Sequence, residues 1–483
     1  MNIQTAKEEI KRTLRAYTDR TEDGIYRIPV VQQRPILLIG PPGIGKTAIM
    51  EQIAREESVG LVAYTMTHHT RQSAIGLPIL RERQFQGNTY SVTEYTMSEI
   101  VASVYECMEK TGCHSGILFI DEMNCVSETL TPIMLQLLQN KSFGVHHIPE
   151  GWLIVAAGNP PEYNKSVREF DMVTLDRVRN ITVEADLEVW KQYACDRGLH
   201  PSILAFLNLY PDSFYVISTE HDSLSFVTAR GWEDLSRILS VYEKNQEPVT
   251  EELILQYIQY ESVARNFYLF YDLFSHYTED FAAENFFGCA VRERMKHADS
   301  TESIAVAAML FSKIAVLAGE YRFHQKILAR FCEFSEQFSS MSRSGTLSGD
   351  HEFEKLETFL RQKRNAMQIR ETNNLLPLDE KILELRTLRL TEELLNHGRK
   401  HPEQPLTEHW NQFVCTKKEE LNRSSETLLD FIKNSYELLE AASTAVCQSY
   451  FTSDLTNNSD CTYFLTNHVC ESYLRHTAPL LSD

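Results

Sequence analysis

Eight residues early in the chain, Gly40-Pro41-Pro42-Gly43-Ile44-Gly45-Lys46-Thr47, have the types and spacing of a phosphate grip, G-x-x-x-x-G-K-[ST]. Glycines at these positions let backbone N–H groups close around an anion at a helix start. Lys46 can reach the outer phosphate oxygens, and the Thr47 hydroxyl can enter a Mg2+ shell. The grip works only between a strand and a helix, and "PILLI" before it and "TAIMEQIA" after it supply those two patterns.

A second stretch, "GILFIDEMN", ends an apolar run in Asp121-Glu122. A carboxylate at a strand's C-terminal end can hold Mg2+ through water, and the next carboxylate can polarise a water for attack on a terminal phosphate. Glu122 therefore points to hydrolysis and not only to binding. A third stretch leaves the apolar run "WLIVAA" as "GNPPEYNKSVREFDMVTLDRVRN". In an additional-strand nucleotide hydrolase this run lies between the other two strands, so Asn159 at its tip faces the outer phosphate and can orient the attacking water. The same stretch carries Arg168, Arg177 and Arg179. Arginine suits a developing phosphoryl charge because its planar fork stays protonated and binds bidentately.

These groups need a rigid frame. Strand-like runs ("RPILLIG", "GLVAYTM", "GILFID", "WLIVAAG") alternate with helical patterns ("KTAIMEQIAREE", "SEIVASVYECMEK", "LTPIMLQLLQN"), which predicts a parallel sheet covered by helices. From Glu184 the reading is helical, and the texture changes again near residue 275. "SSMSRSGTLSGDHE", residues 339–352, has linker composition and is read as separating two helical bundles. Beyond it, Leu378, Ile382, Leu385 and Leu388 form one apolar stripe, and Leu428, Phe431, Ile432 and Leu439 another.

On "GPPGIGKT", "ILFIDEMN", "AAGNPPE", "LDRVR" and "FVTARGWEDLSRIL", the chain resembles the AAA+ superfamily, and more closely the MoxR-like ATPases of the helix-2-insert clade, over about residues 25–245. The fold implied is an α/β P-loop core with a parallel sheet, a helical lid and an all-α C-terminal extension. Its expected divisions are an N-terminal helical arm (1–30), a nucleotide-binding core (31–183), a lid (184–275), a helical region (276–338), the linker (339–352) and a C-terminal helical domain (353–483). By that resemblance ATP and Mg2+ are the ligands and Asn159 is sensor 1. Arg177 is the arginine finger offered to a neighbouring subunit, and Arg230 is sensor 2. The usual family form is closer to "LDRF", so the choice among Arg168, Arg177 and Arg179 stays open.

The segment from Thr67 to Ile100 contains two β-like runs, "LPILRER" and "TYSVTEY", joined by "QFQGN". In the MoxR-like proteins and their magnesium-chelatase relatives a hairpin interrupts this helix, and the resemblance implies that it lines a ring pore or faces a client; a loop that braces its neighbours is the plainer alternative. "HHTRQSAIGLP" is most similar to bacterial MoxR-like ATPases paired with a von Willebrand factor A-domain protein. The chain itself has no D-x-S-x-S metal-adhesion motif.

A net charge of -20 argues against sequence-independent nucleic-acid binding, which rests on cationic side chains neutralising phosphates. The ten cysteines show no C-x-x-C pair, and adjacent histidines at 68–69 and 146–147 point to different faces of any regular element. No uninterrupted apolar run approaches the roughly 18 residues of a membrane span, and the first residues lack a signal-peptide pattern. A cytoplasmic protein is expected. The function expected is that of an ATP-hydrolysing ring, a hexamer, which remodels or matures a client protein. A nucleic-acid translocase and a nucleotide-gated assembly scaffold are the alternatives.

Overall fold

The computed structural model describes residues 1–66, 76–126, 130–143, 146–163, 170–220, 223–283, 287–344, 347, 351–372, 376–441 and 446–477. The chain divides into two compact units, Met1–Trp190 with Tyr215–Trp232, and Lys191–Phe214 with Glu233–Asp483.

The first unit is built on five strands: β1 (Ile36–Ile39), β2 (Gly60–Thr65), β3 (Gly116–Asp121), β4 (Trp152–Gly158) and β5 (Arg179–Thr182). They pair in the order β2-β3-β4-β1-β5, all parallel. Their near-continuous apolar runs follow from burial on both faces. Alternation along each strand sorts the side chains into two cores. Leu118 and Ile120 of β3 join Ile154 and Ala156 of β4 in one. Ile117 and Phe119 join Leu153, Val155 and Ala157 in the other. Helices α1 (Ile3–Thr18) and α2 (Lys46–Glu56) supply Ile10, Leu14, Met50 and Ile53 to the second core. Helices α3 (Glu99–Thr111) and α4 (Thr131–Asn140) supply Val101, Val104, Met134 and Leu137 to the first. The register pairs Ile39 with Gly158 and Ile120 with Ala156, so the C-terminal ends of β1, β3 and β4 meet at one sheet edge. Open parallel sheets bind ligands at that edge.

Helix α1 is tied to α2 by ion pairs, Lys7 to Glu56 at 2.6 Å, Lys11 to Glu56 at 2.9 Å and Arg15 to Glu57 at 2.6 Å. The expected hairpin forms from Pro78–Phe85 and Asn88–Tyr95, turning at Gln86-Gly87 with positive φ at both residues. A second hairpin, Val216–Glu220 with Ser223–Val227, falls where the sequence reading saw only helices. Its β-branched and aromatic residues, in "FYVIST" and "SLSFV", carried that signal.

The second unit is helical. Its longest helix, Ser300–Arg343, has an 18-residue window of mean hydropathy 1.6, enough by length and composition to cross a membrane, although no uninterrupted apolar run marks it in the sequence; 61% of that window is buried inside the protein. Phe331, Phe334 and Phe338 of this helix share one apolar cluster with Leu347, Leu356, Phe359, Leu394 and Trp410. The helix carries the first five positions of the 339–352 segment, so that segment joins helices with a common core. The two predicted stripes fare differently. Leu428, Ile432 and Leu439 are buried, whereas Ile382 and Leu385 are exposed and the buried apolar side chains of their helix are Leu388, Leu390, Leu394 and Leu395. In the second half of Leu378–Lys400 the leucines fill that core, whereas Ile382 and Leu385 in its first half face away from it.

Candidate nucleotide-binding site

The loop Gly40–Gly45 connects the end of β1 to the start of α2. Helix α2 begins at Lys46 on Gly45, with no side-chain cap and no acidic residue in its first turn. Its first N–H groups therefore lack the Ser, Thr or Asp oxygen that usually satisfies them, and together with the helix dipole they suit an anion. Gly43 takes φ +74°, and a Cβ there would lie 3.1 Å from Thr228 Oγ1 and 3.4 Å from Arg230 Cβ. Only glycine admits both the left-handed backbone and that close approach. The approaching segment is held locally: Thr228 Oγ1 accepts from Gly231 N at 3.2 Å, and Tyr215 Oη donates to Pro42 O at 3.0 Å. Arg230, exposed, is thus placed over the loop by the hairpin and helix start that follow Tyr215.

Lys46 is 8% exposed. Its Nζ donates to Gly40 O at 2.7 Å, Pro41 O at 2.8 Å and Asn159 Oδ1 at 2.8 Å. Burial pushes its ammonium group down to about 8; the Asp121 carboxylate works against that shift and Arg230 adds to it. Thr47 Oγ1 donates to Asp121 Oδ2 at 3.0 Å, and Asp121 Oδ1 accepts from Glu122 N at 2.9 Å. A hydroxyl and a carboxylate facing each other beside the loop are hard oxygen donors of the kind Mg2+ takes while keeping several waters, so the residues present fit that ion. Glu122 adopts a left-handed backbone, φ +56° and ψ +35°, which turns the chain sharply at the end of β3 into the short helix Met123–Cys125.

The three arginines separate. Arg177 follows the short helix Met172–Leu175, capped by Asp171, whose Oδ1 accepts from Thr174 N at 2.8 Å. Its side chain is exposed, and among the described residues it makes no ion pair. Val178 is buried in the sheet's first core. Arg179 turns to α1, donating to Thr13 Oγ1 and pairing with Glu9 Oε2 at 3.2 Å. Arg168 lies outside the described residues, as does most of the "HHTRQSAIGLP" stretch.

Against known families, residues 35–178 match the AAA domain, dynein-related subfamily. This part of the chain is an AAA domain. Lon protease 2 of Borreliella burgdorferi is 25% identical over 262 residues, covering 50% of this chain and 30% of that protein, so the chain spans under a third of that relative's length. Among solved structures, a mutant of Thermotoga maritima RuvB is 13% identical, with a TM-score of 0.28, over 54% of this chain and 69% of that one. The AAA domain contains every predicted site residue except Arg230, which follows it, together with the alternative Arg179.

One side chain at the AAA site escaped the sequence reading. Asn124, 6% exposed, donates through Nδ2 to Asn159 O at 2.7 Å and accepts through Oδ1 from Asn159 N at 3.2 Å. A Cβ on the preceding residue, Gly158, would lie 2.6 Å from Asn124 Oδ1, so glycine is needed for this pairing. The signal was present in "GILFIDEMN" and "AAGNP", a polar residue just past each strand and a glycine between, but spacing alone does not reveal that the two tips touch.

Proposed function

We propose that the protein is an ATP-hydrolysing AAA+ ring of MoxR type that remodels or matures a partner protein. The observation that carries this reading is the convergence on one loop of Lys46 with Asn159, and of Thr47 with Asp121, at 2.8 and 3.0 Å. In this reading Gly40, Pro41, Pro42, Gly43, Ile44 and Gly45 wrap the phosphates with their backbone, and Lys46 neutralises the outer oxygens. Mg2+, when bound, supplies positive charge against the phosphoryl oxygens, and Thr47 and Asp121 would hold it. Glu122 polarises the attacking water and Asn159 orients it. Arg230 senses the nucleotide from the segment that follows the AAA domain.

Arg177 is the finger in this reading, because it is exposed while Arg179 is engaged with α1. A finger supplied by a neighbour makes turnover depend on assembly, hence a ring, a hexamer by the MoxR resemblance. The client-facing part is the hairpin of residues 78–95, on which Leu80 is 79%, Phe85 52% and Tyr90 51% exposed. A von Willebrand factor A-domain protein is the partner class that the "HHTRQSAIGLP" resemblance favours, and the cytoplasm is the proposed location.

The test uses Glu122→Gln in the full chain. Turnover should fall by about 10²- to 10⁴-fold with ATP still bound, and the trapped protein should be a ring that retains a partner carrying a von Willebrand factor A domain. Unchanged turnover would sink the role of Glu122. Hydrolysis stimulated by DNA or RNA and falling steeply with salt would replace the chaperone with a translocase.

A further inference from the structure

We infer that Asn124 is a positioning residue for the reaction: its carboxamide fixes the peptide of Asn159, and so sets where the Asn159 side chain stands relative to Glu122 and Lys46. The inference rests on the ATPase reading above and deepens it. Both polar atoms of Asn124 are spent on one residue, Nδ2 on Asn159 O at 2.7 Å and Oδ1 on Asn159 N at 3.2 Å. With its N–H and C=O both held, Asn159 keeps only side-chain torsions, and its Oδ1 meets Lys46 Nζ at 2.8 Å. A two-point clamp of this kind restricts translation and rotation of the strand tip together, which one hydrogen bond does not.

The clamp also couples two strands. Asn124 lies on the turn that begins at Glu122, where the left-handed backbone folds the chain back from the end of β3. Through that turn the residue proposed to polarise water and the residue proposed to orient it share one rigid connection across the β3–β4 pairing. Gly158 is what allows it, since any side chain there would occupy the space of the Asn124 carboxamide. Asn124 is nearly fully buried, so its amide has no water to fall back on and the paired geometry is strongly favoured. A group that misplaces a water or a sensing side chain by about 1 Å can lower a rate about 100-fold without abolishing binding.

A double-mutant cycle on the full chain reads this directly. Steady-state ATP hydrolysis and equilibrium nucleotide binding are measured for the wild type, Asn124→Ala, Asn159→Ala and the double variant. Asn124→Ala should lower kcat by about 10- to 100-fold while nucleotide Kd changes by less than about threefold. In the Asn159→Ala background, the same substitution should cost less than about twofold, because its effect runs through the missing side chain. Asn124→Asp keeps the acceptor but sets a carboxylate oxygen against Asn159 O, so its kcat should fall at least as far as that of Asn124→Ala; Asn124→Ser, which keeps a small polar group in the site, carries the cycle if the alanine variant does not fold. Equal losses on both backgrounds, or an unchanged kcat in folded Asn124→Ala, would overturn the inference. If the wild type itself turns over no ATP, the functional reading fails separately. Hydrogen exchange at the Asn159 amide then decides the clamp: slow exchange in wild type that becomes fast in Asn124→Ala supports it, and fast exchange in both overturns it.

Discussion

Arg177 and Arg179 stand two residues apart on either side of a buried valine, yet their surroundings differ. Arg179 is bonded inside its own subunit, to Glu9 and Thr13 of α1. Arg177 is exposed beyond a short capped helix and makes no ion pair among the described residues. The phosphate end of the sheet resembles Arg179 in this respect. Lys46, Asp121, Asn124 and Asn159 all find partners within the unit. A polar group whose needs are met locally serves the fold or the local site. A cation left at the surface after a rigid, capped approach is available to something else. Of the three sequence candidates for a trans-acting arginine, Arg179 has a structural occupation and Arg177 has the exposure that the proposed role requires, while Arg168 lies outside the described residues.

The sharpest way to break this contrast is Arg177→Ala. An arginine stabilising the phosphoryl charge in trans contributes on the order of 10³-fold or more to turnover. Arg177→Ala should therefore lower ATP hydrolysis by about that factor, with nucleotide binding and melting temperature nearly unchanged. Mixing Arg177→Ala subunits with Lys46→Ala subunits should restore part of the activity, because some mixed interfaces join an intact loop to an intact arginine. Mixtures no more active than either variant alone would return Arg177 to the status of a surface charge.

The sequence made the phosphate grip and the sheet legible because both depend on short-range patterns. Gly40 to Thr47 is contiguous, and the four core strands read as such are apolar runs of ordinary length. Placing Asn159 required one topological expectation, that its strand lies between the other two, and the order β2-β3-β4-β1-β5 is that arrangement. What stayed hidden depends on distant pairing. The bond from Arg179 to Glu9 spans 170 positions and that from Asn124 to Asn159 spans 35, and nothing local in either residue announces its partner. The predicted stripe that ends at Leu388 misled at Ile382 and Leu385, which are exposed, for a related reason. Helical periodicity identifies an apolar face but not how far along the helix the core extends.

Arg179→Ala offers a middle-sized test of the same contrast, with the opposite signature. Loss of a half-buried pair and of its bond to Thr13 should lower stability by about 1 kcal/mol, a shift in Tm of roughly 2–4 °C. Turnover per folded subunit should stay at the wild-type level. Thermal unfolding alongside ATP hydrolysis at a temperature well below Tm separates the two quantities. A large loss of turnover with no change in Tm would reverse the assignments of the two arginines.

The smallest expected effect comes from another bonded arginine, Arg15 of α1, and shows itself in pH. Its hydrogen bond to Glu57, helped by its charge and that of Lys11, holds the Glu57 carboxyl below the usual carboxylate range against a modest opposing effect of burial. A carboxylate with a depressed folded-state pKa contributes stability that is fully present above its unfolded value, near about 4.3, and is lost as pH falls through the folded value. Wild type should accordingly lose Tm more steeply between about pH 5 and pH 3 than Glu57→Gln does, with the two curves converging at the acid end. Parallel curves over that window would mean that the α1–α2 pair is present in the structure without contributing to stability, as many exposed ion pairs are. Arg177→Ala should leave this acid limb nearly unchanged, because among the described residues Arg177 makes no such bond and its charge is only the smallest of the influences on the exposed Asp171 carboxyl; a flattened limb in that variant would show that the exposed arginine, too, serves the fold.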